Sequence, residues 1–147
     1  MRESIPKFLN GVFSFVGAGY EKPTLLSGKL TYSVPPDKRT QLIYFRAGNS
    51  SDEMIYLIMM RDGVPMRYFA VGARAGMHVP LAVVEDLDPA SKLEVFLGAA
   101  SGATGYLVLD IGHDARFIND RVHGNIQRTA PSPSYRRCQE VCARPMI

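Results

Sequence analysis

The sequence predicts an all-β protein, an antiparallel β-sandwich of jelly-roll type with extended N- and C-terminal arms. About seven or eight short segments rich in β-branched and aromatic residues recur at roughly 8–14-residue spacing, and turn-forming residues separate them. No segment between them shows the apolar period of a helix. The chain has 147 residues, of which 46% are apolar, so a single domain can bury its own core without disulfides or a structural metal.

The first half of the predicted sandwich contains four strands. Residues 29–34 alternate between apolar and polar and stop at a pair of prolines, and residues 40–47 are rich in β-formers. The strands at 53–61 and 64–71 are joined by Asp62-Gly63, a strong hairpin signal because both central residues of a type I′ turn need a positive φ. A short helix is the competing interpretation of 53–61, and the Asp-Gly turn favours the hairpin.

The strand at 64–71 is followed by three further predicted strands. Pro65 cannot donate a ladder hydrogen bond, so the strand at 64–71 is expected at a sheet edge or at a bulge. Residues 77–84 form the next strand, and residues 85–90 (EDLDPA) are an acidic loop. The strands at 92–97 and 104–111 are joined by a loop of small residues.

Charge divides the chain into an N-terminal lead (1–20), the sandwich (21–112) and a polar C-terminal tail (113–147). The net charge is +3 and the isoelectric point is about 9.0, which invites a nucleic-acid interpretation. The tail alone carries six Arg against three acidic residues, a surplus of +3, whereas the sandwich has nine basic against ten acidic residues, for −1. The basic excess therefore belongs to the ends, which disfavours nucleic acid and favours a tail that contacts an acidic partner surface.

The lead leaves the localisation open. Arg2 and Lys7 precede the apolar run at 8–16, as in a secretory signal, but Asn10 and Gly11 interrupt that run. A cleaved signal at 1–19 stays an alternative to an arm or a lead strand. We expect a cytoplasmic or particle-associated protein, with secretion as the alternative. The sequence contains no run of about 18 consecutive apolar residues, so it predicts no membrane-spanning helix.

The strand at 53–61 predicts self-association. Its two faces are both apolar, whereas a sandwich strand with one solvated face alternates apolar and polar residues. The lead, the tail or a second copy of the chain must cover the second face. We therefore expect a non-catalytic structural protein that forms a homo-oligomer or packs into a larger assembly. The predicted contact residues are large and adaptable side chains: Tyr44, Tyr56, Met59, Tyr68, Phe69 and Phe96.

A ligand- or carbohydrate-binding module is the alternative function, with its site in the loops between strands. The residues proposed for that site are polar and come from three predicted loops: Asn49, Asp52, Arg74, Glu85, Asp86 and Asp88.

No residue pattern predicts catalysis, a metal or a cofactor. His78 lies near the acidic loop, but its strand neighbours are apolar, which favours a surface or interface histidine. Cys138 and Cys142 lie four positions apart without a second pair, so they do not match a zinc motif, and their redox state stays open.

Two stretches carry a resemblance to known proteins, 46–72 (RAGNSSDEMIYLIMMRDGVPMRYFAVG) and 78–97 (HVPLAVVEDLDPASKLEVFL). Through them, residues 38–112 resemble a group of small bacterial β-sandwich proteins of unknown function, some of which are labelled molybdopterin oxidoreductase. The resemblance supplies no motif residues. A chain of 147 residues is too small to enclose that cofactor, so the resemblance implies an accessory protein of a bacterial oxidoreductase and not its catalytic subunit.

Overall fold

The structure, a computed structural model, describes residues 4–118 and confirms the antiparallel β-sandwich. Nine strands form in the described residues, and no helix there is long and apolar enough to cross a membrane. In chain order they are β1 (Ser4–Val16), β2 (Thr24–Leu25), β3 (Tyr32–Ser33), β4 (Lys38–Asn49), β5 (Ile55–Arg61), β6 (Val64–Val71), β7 (Gly76–Leu87), β8 (Lys92–Ala99) and β9 (Thr104–Phe117).

The strands are divided between two sheets. Sheet A has the order β1-β9-β4-β7, and sheet B has the order β2-β8-β5-β6, with β3 also pairing with β8. Every pair is antiparallel. Apart from the β5–β6 hairpin, strands that are neighbours in the sheets are distant in sequence, so the chain crosses repeatedly from one sheet to the other.

The core lies between the two sheets and follows the period-2 alternation of the strands. In β5, Ile55, Leu57 and Met59 all point inward and are fully buried. Phe45 of β4 and Phe69 of β6 connect the two layers, because their rings stack with centroids 3.9 Å apart and planes 6° apart. Aliphatic and aromatic side chains therefore fill the space between the sheets.

The β5–β6 hairpin forms as its turn residues predict. Asp62 has φ 50° and Gly63 has φ 78°, the conformation that a type I′ turn requires. The β6 strand is an edge strand, and its register with β5 shifts between Met59 and Met60, next to Pro65. Pro65 thus lies both on an edge and at a bulge, where a missing N–H costs little.

The predicted strand at 29–34 is instead a 3-10 turn followed by a very short strand. The turn spans Gly28–Leu30 and is capped by Ser27, whose side chain accepts a hydrogen bond from the Lys29 N–H at 3.2 Å. Leu30 and Val34 are both buried, so this segment closes the side of the core, and only β3 pairs with the sheet.

Both predicted ends of the sandwich are longer than expected. The lead is an edge strand, β1, that pairs with β9 over its whole length from Ser4 to Val16. The β9 strand continues past the expected boundary at residue 112 and ends at Phe117. The acidic segment expected as a loop is also partly strand, because β7 extends to Leu87. Residues 119–147, with Cys138 and Cys142, lie outside the described residues.

Candidate assembly surface

The outer face of sheet A carries a group of exposed apolar side chains. Five of them lie on the adjacent strands β1 and β9, and we call this group the sheet A patch. Val12 pairs directly with Val108, and Tyr106 pairs with Ser14, so Tyr106 lies on the same face as Val12 and Val16. The exposed fractions of these side chains are Phe8 59%, Val12 65%, Val16 70%, Tyr106 61% and Val108 54%.

The sheet A patch has a size within the range that is typical of the largest apolar patch on a monomer. Each of its side chains leaves more than half of its surface in water, which gives an apolar area of a few hundred Å². A typical monomer exposes a largest patch of about 300–600 Å², and patches of that size commonly mark interaction sites. Asp110 lies on the same face, paired with Asn10 between Phe8 and Val12. A surface that covers the whole patch therefore also desolvates this carboxylate, whose Oδ2 already accepts a hydrogen bond from Tyr44.

The sequence reasoning did not identify this patch. The composition of residues 8–16 predicts a lead or a signal, and the outward positions of this segment hold three apolar side chains beside Asn10 and Ser14. Inside the sandwich, Phe15 belongs to the core, and Leu9 and Phe13 pack against it. Phe8, Val12 and Val16 point the other way, so the strand has apolar side chains on both sides, as the alternation of its sequence could have shown.

A polar cluster adjoins the patch on β4, β7 and β9. The Tyr44 hydroxyl donates a hydrogen bond to Asp110 Oδ2 at 3.2 Å, and Arg46 Nε donates one to His78 Nδ1 at 2.7 Å. The Arg46 guanidinium lies over the Tyr44 ring, 5.0 Å from its centroid, and the Tyr44 and His78 rings stack at 6.0 Å. The Tyr44 ring covers Gly112, where a Cβ would collide with it.

These contacts make the polar cluster a fixed surface with no reactive group of its own. Since His78 Nδ1 accepts from Arg46, the His78 proton lies on Nε2 in this arrangement. Burial, together with the hydrogen bond to the negative Asp110, raises the pKa of Tyr44 above its usual range, so the phenol stays protonated at neutral pH. The cluster can present the remaining donors of Arg46 and His78 to a partner, but it offers no activated nucleophile.

The structure places the six predicted contact residues in three different environments. Tyr44 lies in the polar cluster on sheet A. Met59 and Phe69 point inward from their strands and are buried between the sheets. Their assignment to an interface is therefore wrong. The others lie on the outer face of sheet B: Tyr56, Tyr68 and Phe96.

The outer face of sheet B is covered mostly by its own side chains. Ile58 is buried there, between its cross-strand neighbours Tyr68 and Phe96. Tyr56 stacks on Tyr20 and lies against Tyr68, with both centroid distances at 6.3 Å. The Tyr56 hydroxyl donates to the Tyr20 carbonyl, and the Tyr20 hydroxyl donates to the Met54 carbonyl at 2.6 Å. These bonds fix the tyrosines as a cover over β5.

The six residues proposed for a ligand site do not come together. Asn49, Asp52 and Arg74 lie where β4 ends and β7 begins, whereas Asp86 and Asp88 lie where β7 ends. These are opposite ends of the sandwich, because β4 and β7 run antiparallel along their length. Glu85 pairs with Leu42 near that second end, and its side chain lies outside the described part of the structure.

Most of these polar side chains already have partners within the chain. Asn49 is buried; its side-chain amide donates to the Glu53 and Gly72 carbonyls at 2.9 and 3.0 Å, and its oxygen accepts from the Ser51 N–H at 2.9 Å. Asn49 thus fixes the β4–β5 and β6–β7 loops to each other. Arg74 forms an exposed ion pair with Asp52, with the two atoms 2.6 Å apart.

The acidic residues at the other end are bound similarly. Asp88 accepts a hydrogen bond from Arg61 at 2.9 Å and lies 3.6 Å from Arg39. Asp86 accepts one from Gln41 at 3.3 Å. No group of three or more His, Cys, Asp and Glu residues able to hold a metal ion occurs in residues 4–118. Hydrogen bonds and ion pairs therefore hold the loops at each end of the sandwich, and the proposed residues do not line one common ligand pocket.

Comparisons with known proteins do not assign the chain to a family. No protein-family model matches it, and no curated sequence matches it. Among solved structures, it is similar to a subunit of the disulfide-linked pili of Bacillus endospore appendages, with 6% identity and a TM-score of 0.47 over 81% of this chain and 92% of the other.

Two further structures cover more distant likenesses. An exo-β-1,3-galactanase from Phanerochaete chrysosporium gives 14% identity, a TM-score of 0.38, and coverage of 76% of this chain and 29% of the enzyme. A protein of infectious bursal disease virus, Gx strain, has 13% identity and a TM-score of 0.38. The match covers 97% of this chain and 48% of the viral protein. The chain thus spans less than half the length of these two. None of the three is described as a molybdopterin oxidoreductase, and with TM-scores below 0.5 they carry no functional argument.

Proposed function

We propose that this chain is a non-catalytic structural subunit of jelly-roll type that assembles with further copies of itself through the sheet A patch. The observation that carries the proposal is the exposure of five apolar side chains on two adjacent strands, each more than half exposed. The strand order of the two sheets supports the jelly-roll assignment, because two packed antiparallel sheets with connections that cross between them are the architecture of that class.

A second copy of the chain is the occupant that fits this surface best. The five side chains of the sheet A patch are apolar, so they can pack against the same side chains of a second copy. A standard interface buries about 800 Å² on each partner, with an apolar centre and a polar rim. The patch supplies the centre, and the adjoining cluster of Tyr44, Arg46, His78 and Asp110 supplies a polar rim on one side.

Native mass determination across a range of protein concentrations tests the proposal. We expect the unmodified chain to form a species larger than 16.2 kDa and the double variant Val12→Lys, Val108→Lys to remain monomeric. Val64→Lys is the matched control, because Val64 is a valine of 64% exposure on the edge strand of sheet B. Circular dichroism should show the same strand content in all three proteins.

Two results would contradict the proposal. One is an unmodified chain that stays monomeric at every concentration. The other is equal dissociation by Val64→Lys, because that would show that a charge on either sheet disrupts assembly and that the sheet A patch has no special role.

A further inference from the structure

The four edges of the sandwich differ in how they are protected from pairing with another chain. Exposed edge strands usually carry prolines, charges or bulges, or are very short. On sheet B, β2 and β3 have two residues each, and β6 has Pro65 next to a bulge. On sheet A, β7 contains Pro80. Within the described residues, β1 is the remaining edge.

The β1 edge is long and unprotected over most of its length. Pro6 and Lys7 lie near its start, but the nine residues of 8–16 (FLNGVFSFV) include no charge and no proline. All of them pair with β9 on one side, and no described strand pairs with them on the other. The free side of β1 is therefore a template for another strand.

The outward side chains of β1 form a palindrome. From Phe8 to Val16, the alternate residues that point away from the core are Phe, Asn, Val, Ser and Val, or apolar, polar, apolar, polar, apolar. An antiparallel pair with two-fold symmetry places residues at equal distances from the centre opposite each other. The centre of this palindrome is Val12.

We infer that two copies of the chain pair antiparallel through β1, with the two-fold axis at Val12. In this register Val12 lies opposite Val12 of the second copy, and Phe8 lies opposite its Val16. Asn10 lies opposite Ser14 of the second copy. Apolar side chains thus meet apolar ones and polar meet polar, as stable cross-strand pairs require.

Neighbouring registers lose this match. A centre at Gly11 places Asn10 opposite Val12, and a centre at Phe13 places Asn10 opposite Val16. A centre at Asn10 places Val16 opposite Ser4, and a centre at Ser14 leaves Phe8 beyond the end of the partner's strand, since β1 ends at Val16. A shift by a single residue in the pairing would bring core-facing side chains opposite outward ones, which the period-2 geometry forbids.

The pairing joins the two four-stranded A sheets into one of eight strands. It also makes the two sheet A patches continuous, because Phe8, Val12 and Val16 lie on the strand that pairs. The inference goes beyond the proposed function: the copies meet edge to edge through β1, and their two patches lie side by side and not against each other. The other geometry, two A sheets stacked face to face, would bury the patch through β9 as well as β1.

Disulfide trapping distinguishes the two geometries. In the full chain with Cys138→Ser and Cys142→Ser, each test variant carries one new cysteine at an exposed position. Directly opposed residues of antiparallel strands have Cα atoms about 4.5–5.5 Å apart, within the range that a disulfide needs. We expect Val12→Cys to shift from 16.2 kDa to twice that mass on a non-reducing gel under mild oxidation.

Two further samples test the register. A mixture of Phe8→Cys and Val16→Cys should give the same covalent dimer, whereas either variant alone should stay largely monomeric. Val108→Cys is the matched control, because Val108 belongs to the patch and pairs with Val12 but lies one strand away from the edge. We expect it to remain monomeric on the gel.

The outcomes separate this inference from the proposed function. Cross-linking of Val108→Cys without that of Val12→Cys overturns the edge pairing while self-assembly through the patch stands. Efficient cross-linking of Phe8→Cys or Val16→Cys alone overturns the Val12-centred register. A native mass equal to that of a monomer for the cysteine-free chain overturns both.

Discussion

His113 gives the sharpest prediction of pH-dependent stability. It is buried on β9, where its ring lies 4.5 Å from that of Tyr32, and its Nδ1 has no hydrogen-bond partner in the described residues. Burial, and then the positive charge of Lys7, lower the pKa of His113 below its usual value of 6.5, and Asp114 opposes them. The folded protein therefore holds this imidazole neutral.

The sign of the effect follows from the two pKa values. The unfolded chain binds a proton on this histidine below about pH 6.5, whereas the folded chain does so only at a lower pH. Above pH 6.5 both states are neutral and the full stability is present. As the pH falls below that value, the free energy of unfolding decreases by about 1.4 kcal/mol per pH unit until the folded-state pKa is reached.

Urea denaturation between about pH 5 and pH 7.5 measures this loss. We expect His113→Gln to lose a part of the pH dependence that matches one titrating group, even if it is less stable overall. Because this variant and the unmodified chain differ only at this histidine, the difference between their two pH profiles isolates its contribution. A His113→Gln protein with the pH dependence of the unmodified chain would refute the reasoning.

Three further predictions concern the free energy of unfolding, measured by urea denaturation at neutral pH. Phe45 is fully buried, so Phe45→Ala should lower the free energy of unfolding by about 3–5 kcal/mol. Phe45→Leu removes less volume and should cost less; equal costs of the two variants would argue against a packed core at this position. Asn49→Ala should lower it by about 2–4 kcal/mol, because it leaves buried loop groups unpaired, whereas Asp52→Ala in the exposed ion pair should cost less than about 1 kcal/mol. Gly63→Ala should cost about 1–2 kcal/mol because of its positive φ, whereas Gly28→Ala, where a Cβ meets nothing, should cost less.

The elements that the sequence predicts well are those defined by local chemistry. The strand at 64–71 has the bounds of β6 because the Asp62-Gly63 turn fixes its start, and both turn residues adopt the positive φ that the dipeptide favours. The segment at 29–34 has the alternation of a strand but forms a 3-10 turn, because Ser27 caps that turn and Leu30 closes the core. The local structure of this segment depends on the burial of the Leu30 side chain, which the apolar–polar alternation of the sequence does not reveal.

The ends of the strands depend on partners far away in sequence. Residues 113–115 have polar and charged members, which suggested a tail, but they are buried in β9 because β1 and β4 pair with them on both sides. His113 lies opposite Lys7 and Leu42. A single strand gives no sign of such neighbours, so its length and its buried polar residues could not be predicted from composition.

Contact residues on a strand also depend on neighbours that are distant in sequence. In an apolar strand, alternation separates two faces but does not say which one meets the other sheet. The sequence predicts Met59 and Phe69 as contact residues, but both lie on the inward face. Tyr56 and Tyr68, from the same two strands, lie on the outward face, so choosing correctly required the sheet packing.

A strand that is apolar on both faces needs two covers, and β5 finds both within the chain: the core on one side, and Tyr20, Tyr68 and Phe96 on the other. β1 also has apolar side chains on both faces and finds only one cover, because it lies at the edge of its sheet and no described residue covers its outward valines. A central strand has neighbours on both sides whose large side chains lean over it, whereas an edge strand has a neighbour on one side only. The need for an external partner is therefore greatest where apolar character on both faces coincides with an edge, and in the described residues that place is β1.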